Sequence, residues 1–145
     1  VVPAENGDIL TLAADGLRQQ DVDELAAVGL LPVPALIQSF NASWPHVFTI
    51  LADGEPCAMF GVTPAGVPWM LGTDRMLTIP RDLIVQGQWW IEYLNRLHPV
   101  LENWVAVDNT VSVHWLKRMG FEFHETHVIN NTTFRRFTRC VNPQL

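Results

Sequence analysis

The chain has 145 residues, 48% of them hydrophobic, with 9 Lys and Arg against 15 Asp and Glu for a net charge of −6. That length suits a single domain, 1–145, with one core of ordinary size, and the acidic balance argues against a nucleic-acid binder, which usually carries a basic face. No apolar run approaches the roughly 20 residues of a membrane-spanning helix, and no charged segment leads into a secretory apolar stretch; no membrane partner is expected, and the default reading is a soluble, cytoplasmic protein, trimmed to begin at Val1.

Along the chain, Ile9–Leu12 alternates apolar and polar and reads as a first strand. Gln20–Val28, with acids in its first turn and Gly29 after it, reads as a short helix, and Pro32 and Pro34 restart the chain into a second, Ala35–Phe40. His46–Leu51, a turn at Asp53 and Gly54, and Cys57–Val62 form a hairpin, to which Val67–Leu71 adds a third antiparallel strand. Thr78 then serves as a cap and Pro80 as the first-turn residue of a long helix, whose apolar stripe is Leu83, Ile84, Trp90, Ile91, Leu94 and Leu97 and which ends at His98 and Pro99. Trp89 and Tyr93 pair at i, i+4 on another face, which leads us to expect self-association as a homodimer. A strand over about 103–107, a helix, and a closing hairpin (Glu122–Ile129, Asn130 and Asn131, Thr132–Cys140) complete the order.

Charge is divided unevenly: residues 1–74 hold nine acids against Arg18 alone, and residues 75–145 hold eight Lys or Arg against six acids. This suggests an acidic half toward a cationic substrate and a basic half toward an anionic ligand. Cys57 and Cys140 lack metal or redox spacing and are expected as buried thiols. His124 and His127, three apart on a strand, point to opposite faces, so no metal site is expected.

The densest signal is Val105–Phe121. Asp108 or Asn109 is a good N-cap; Ser112, Trp115, Leu116 and Met119 form one helical face; Gly120 closes the helix. Asn109, Ser112, Trp115, Gly120 and Phe121 at this spacing resemble the closing motif of the GNAT family of acyl-CoA N-acyltransferases. The resemblance implies an α/β fold with a mixed sheet of about seven strands flanked by four helices. It implies that the fourth strand (about Val67–Gly72) and the fifth run parallel and splay apart, so that the pantetheine of acetyl-CoA (coenzyme A) lies between them and its diphosphate sits at the next helix N-terminus. Carried onto this chain, the cofactor residues are Met70, Leu71, Gly72, Arg75, Thr78, Arg81, Asn109, Ser112 and Trp115. The acceptor implied is an amine of a small molecule or protein.

Two departures from the family pattern bear on chemistry. Thr78 and Pro80 stand where the phosphate loop has glycines, and Pro80 has no N–H to offer. Leu116 stands where many members have a Tyr that protonates the departing thiolate. Asp74, at the end of the fourth strand, is the first candidate for a general base, with His46 and Glu55 behind it. Pro68–Asp74, Ile79–Arg81, His98–Asn103 and His114–Phe121 also resemble small GNAT-like proteins of T7-type tailed phages, some of them internal virion proteins. That likeness implies a phage origin, a host cytoplasmic or virion location, and host or virion proteins as partners. An inactive assembly protein is therefore the alternative to an enzyme.

Overall fold

The computed structural model describes residues 1–141. The chain begins with a two-residue strand, β1 (Val2–Pro3), and three helices, α1 (Asn6–Asp15), α2 (Gln19–Ala27) and α3 (Pro32–Ser43). The strands β2 (Val47–Ala52), β3 (Glu55–Val62) and β4 (Pro68–Gly72) follow, then a tight 3₁₀ turn at Asp74–Thr78 and the long helix α4 (Pro80–Leu97). Next come β5 (Val100–Ala106), α5 (Thr110–Arg118), β6 (Glu122–Ile129) and β7 (Thr132–Cys140). Among the described residues there are seven strands, the expected number, but the short strand Val2–Pro3 stands in for the expected Ile9–Leu12, which is helical and brings the helices to five. Ile9 and Leu12 are buried one helical turn apart while Leu10 faces water, a pattern that four alternating residues cannot distinguish from a strand. The start is set by Asp8, whose carboxylate accepts the Glu5 N–H at 2.9 Å.

The strands form two antiparallel sheets, ordered β1-β2-β3-β4 and β5-β7-β6. Asp53 and Gly54 turn the β2–β3 hairpin, and Asn130 and Asn131 the β6–β7 hairpin, all with positive φ as two-residue hairpin turns require. On one face, Leu12 of α1 and Leu36 and Phe40 of α3 pack on Val47, Met59 and Leu71. On the other, Ile91 and Leu94 of α4 and Leu116 and Met119 of α5 pack on Ile50, Phe60, Leu101, Val105 and Phe137. Ala27 of α2 lies against Ala106 and Phe134. Among the described residues no single helix is long and apolar enough to cross a membrane. Cys57 is a buried free thiol as expected, but Cys140, at the end of β7, is exposed.

One buried polar residue ties the end of α4 to both flanking strands. Asn95 Nδ2 donates to the carbonyls of His98, Pro99 and Arg139 at 2.9, 3.2 and 3.1 Å, and Asn95 Oδ1 accepts from Arg139 Nη1 at 2.8 Å. Asn95→Ala strips these partners in a buried setting and is expected to destabilise the fold by about 1–3 kcal/mol, read as a lower urea midpoint with an unchanged slope.

Candidate active-site cleft

Two strands run in the same direction and share only their beginnings. At that end Glu102 N–H donates to Gly66 C=O at 3.1 Å, and Asn103 Nδ2 donates to Pro68 C=O at 2.6 Å. The approach needs glycine: Gly66 has φ +81, and a Cβ there would lie 2.8 Å from the Val100 carbonyl. Further along, β4 and β5 part, and each presents an unpaired edge, since among the described residues β4 pairs only with β3 and β5 only with β7.

The register says which peptides face the gap. Thr73 N–H donates to Cys57 C=O at 2.8 Å, so Thr73, Leu71 and Trp69 bond toward β3, and Pro68, Met70 and Gly72 face β5. The same alternation turns Glu102, Trp104 and Ala106 of β5 outward, because Val107 N–H bonds to Thr133 C=O. Side chains cap most of these groups. Trp104 N–H donates to Asn103 Oδ1 at 2.7 Å, and Ala106 N–H to Glu24 Oε1 at 2.9 Å. Gly72 N–H donates to Asp21 Oδ2 at 3.0 Å, and Gly72 C=O accepts from Arg18 N–H at 2.8 Å. Of the residues of β4 that face the gap, Met70 alone keeps both its N–H and its C=O without a partner among the described residues.

Helix α2 thus bridges the wide end of the gap, with Asp21 on β4 and Glu24, one turn later, on β5. Arg18 is buried beneath it, its Nη2 donating to Asp21 Oδ1 at 3.0 Å and to Ser112 Oγ at 3.2 Å. Asn109 Nδ2 donates to Glu24 Oε1 at 3.0 Å, and Asn109 Oδ1 accepts the Ser112 N–H at 3.4 Å as the N-cap of α5. Burial raises the Glu24 pKa above its ordinary value; the hydrogen bonds from Asn109 and Ala106 and the charge of Arg18 act against that, and the charge of Asp21 acts with it. Its contribution to stability is therefore full below the ordinary carboxylate pKa and fades as pH rises through the raised value.

A cleft of about 710 Å³ opens here, walled by Met70, Leu71, Leu83, Trp90, Trp104 and Trp115 and carrying Arg18, Asp21, Glu24, Asp82 and His127 at its polar places. Trp115 Nε1 donates to the Leu83 carbonyl at 3.2 Å and lies against Gly87, where a Cβ would come within 2.9 Å of its ring. It therefore clamps α5 to α4 as well as lining the cleft. Among the described residues no three His, Cys, Asp or Glu side chains come together as a metal site would need.

Met70, Leu71, Asn109, Ser112 and Trp115 thus meet in one cleft, with Gly72 at its edge already bonded on both sides. The rest of the candidate set lies elsewhere. Asp74 is exposed at the start of the 3₁₀ turn and does not line the cleft. Arg75 donates through Nη2 to Ala52 C=O at 3.1 Å and stands 3.8 Å from Asp15, turned toward α1. Thr78 does not cap α4: its hydroxyl donates to Arg75 C=O at 2.6 Å, and Ile79 is the N-cap. Arg81 is exposed in the first turn of α4. The N–H groups of Arg75, Met76 and Ile79 are all spent inside the loop.

Among solved structures, the chain superimposes on a GNAT-family acetyltransferase from Bacillus anthracis at TM-score 0.66, 10% identity and 96% and 92% coverage of the two chains. It also superimposes on a ribosomal-protein-alanine N-acetyltransferase from Brucella melitensis at TM-score 0.61 and 14% identity, covering 96% and 98%. A ribosomal L7/L12 α-N-protein acetyltransferase in complex with coenzyme A matches at TM-score 0.62 and 12% identity, covering 97% and 92%. The fold is the GNAT fold. No protein-family model matches the sequence and no curated protein matches it. Leu116 is a core residue, 8% exposed, and Arg75, Met76 and Ile79 spend their N–H groups within the loop before α4.

Proposed function

We propose that the protein is an acyl-CoA-dependent N-acyltransferase that acts on an amine of a small molecule or protein, with the acyl donor in the cleft between β4 and β5. The observation that carries this reading is the open edge at Met70: one unpaired peptide, donor and acceptor both available, inside an otherwise apolar cleft. An unpaired strand edge is what an amide-bearing arm bonds to. The residues present fit the thioester arm of such a donor; toward its diphosphate the N–H groups of Arg75, Met76 and Ile79 are spent and Pro80 has none, which leaves only the first-turn N–H groups of Arg81 and Asp82.

Coenzyme A, when bound, supplies the acyl group as an activated thioester. Around it, the Met70 N–H is placed to donate to the acyl carbonyl, while Leu71, Leu83 and Trp115 exclude water. Asn109 and Ser112 hold the start of α5 against the cleft. Arg81 is the exposed cation at the start of α4 that would meet phosphate; Arg75 would first have to leave Ala52 and Asp15.

So reduced a cradle has a measurable consequence. Acetyl-CoA and S-acetylpantetheine are expected to bind within about tenfold of each other, that is within about 1.4 kcal/mol, when titrated calorimetrically. Acetyl transfer to a panel of polyamines, amino acids and peptides should accompany binding. No heat, no thermal shift and no transfer at millimolar donor would overturn the reading.

The second reading, a phage virion-assembly or host-interaction protein that keeps the fold without catalysis, draws support from Leu116 in the core and the self-satisfied loop, together with the phage-like phrases of the sequence. Under it, neither donor binds.

A further inference from the structure

We propose that Glu24 is a catalytic residue, the proton acceptor for the attacking amine, in a role that rests on the acyltransferase reading above. Its carboxylate is held at one oxygen and open at the other. Oε1 accepts from Ala106 N–H at 2.9 Å and from Asn109 Nδ2 at 3.0 Å, one bond from each side of the β5–α5 junction. Oε2 accepts nothing among the described residues, and the half-buried side chain lines the same cleft as Met70. No buried side-chain acceptor among the described residues lacks a partner, so the unbonded Oε2 is the accessible oxygen, open to a visitor in the cleft while Oε1 straps α2 to β5.

The charges around it favour a cationic visitor. Arg18 and Asp21, from the start of α2, pair with each other at 3.0 Å and leave Glu24 without an ion-pair partner among the described residues. Asp82 from the first turn of α4 also lines the cleft, as does His127 from β6; from α5 the facing groups are the neutral Asn109 and Ser112. Burial supports the same role by holding the carboxyl above its ordinary pKa, nearer the pH at which a general base works best.

The proton balance is complete without an oxidant or a metal. An amine arrives as R–NH3⁺ and gives one proton to Glu24, which passes it to solvent; the freed nitrogen lone pair forms the C–N bond as the C–S bond breaks. A second proton leaves the nitrogen to Glu24 and goes to the departing thiolate, giving neutral amide and thiol. This also supplies the acid that Leu116 cannot.

The test compares wild type, Glu24→Gln and Glu24→Asp. Gln keeps the acceptor for Ala106 and Asn109 and loses only the base. Glu24→Gln is expected to bind acetyl-CoA as wild type does, to lose about 10²- to 10⁴-fold in kcat, and to lose the acidic limb of the pH profile, while Glu24→Asp recovers part of the rate. A second readout needs no donor: in protein carrying ¹³C-labelled Glu carboxylates, the Glu24 signal should titrate above pH 4.5 and shift when n-butylamine is added. Unchanged kcat and pH profile in Glu24→Gln, with donor binding intact, overturns the proposal and leaves the acyltransferase reading standing. Absence of donor binding in wild type overturns both.

Discussion

Asp21→Ala is expected to destabilise the protein by about 3–5 kcal/mol, the cost of leaving a buried charge without its partner. Arg18 and Asp21 are 4% and 5% exposed, so neither can turn to water when the other is removed. The loss goes beyond the pair, because Asp21 also accepts the Gly72 N–H at 3.0 Å, and that N–H has no other partner among the described residues. Asp21→Asn keeps an acceptor for Gly72 while removing the charge, and should fall between wild type and Asp21→Ala. An Arg18→Met, Asp21→Leu double variant should be less destabilised than the two single changes combined, since no unpaired ion is left behind. Urea unfolding of wild type, Asp21→Ala, Asp21→Asn, the double variant and its two single changes measures this. A loss below 1 kcal/mol in Asp21→Ala would show that α2 is not fastened to β4 in the way described.

That fastening is also where sequence reasoning stopped short. Local chemistry was legible: of the two cap candidates Asp108 and Asn109, Asn109 caps α5, Gly120 closes it with φ +85, and Asp53 and Gly54 turn the hairpin. The α4 stripe from Leu83 to Leu94 and the stacked Trp89–Tyr93 pair, ring centroids 5.7 Å apart, also follow from helical periodicity, whereas Leu97, expected in the stripe, is exposed. Arg18, Asp21 and Glu24 were not legible as a unit, because their partners Gly72, Ala106, Asn109 and Ser112 lie 51 to 94 residues away in the chain. Two signals were present: a lone cation among nine acids, and carboxylates one turn apart on one helix face. Asp74 drew attention by its place after β4, yet the chain turns at Thr73, whose hydroxyl donates to Cys57 C=O, and carries Asp74 out to solvent. Arg75 is turned away for the same reason, onto Ala52. Ends of strands are where sequence position and spatial position separate most.

Met70→Pro is expected to lower kcat by about 10²- to 10³-fold, the scale of losing one oxyanion-type donor, while leaving the fold in place. Proline is normally excluded from a sheet because it lacks an N–H for the ladder, but it is tolerated where that N–H faces off the edge. Met70 is such a position. Its neighbours Trp69 and Leu71 make the bonds to β3, and its own N–H points into the gap toward β5. Trp69, the residue before the new proline, is already in a strand, as the pre-proline restriction requires. Met70→Leu supplies the control for lost side-chain contact, because it keeps the N–H and changes the cleft wall by little. Circular dichroism and urea midpoints establish that both variants fold, and donor titration establishes that the arm still binds. With those in hand, a Met70→Pro rate equal to that of Met70→Leu would place the carbonyl on another donor. Since Gly72 N–H is committed to Asp21 and Ala106 N–H to Glu24, that donor would have to be freed by a shift of α2 against the strand ends or, at Trp104 N–H, by a turn of the Asn103 side chain.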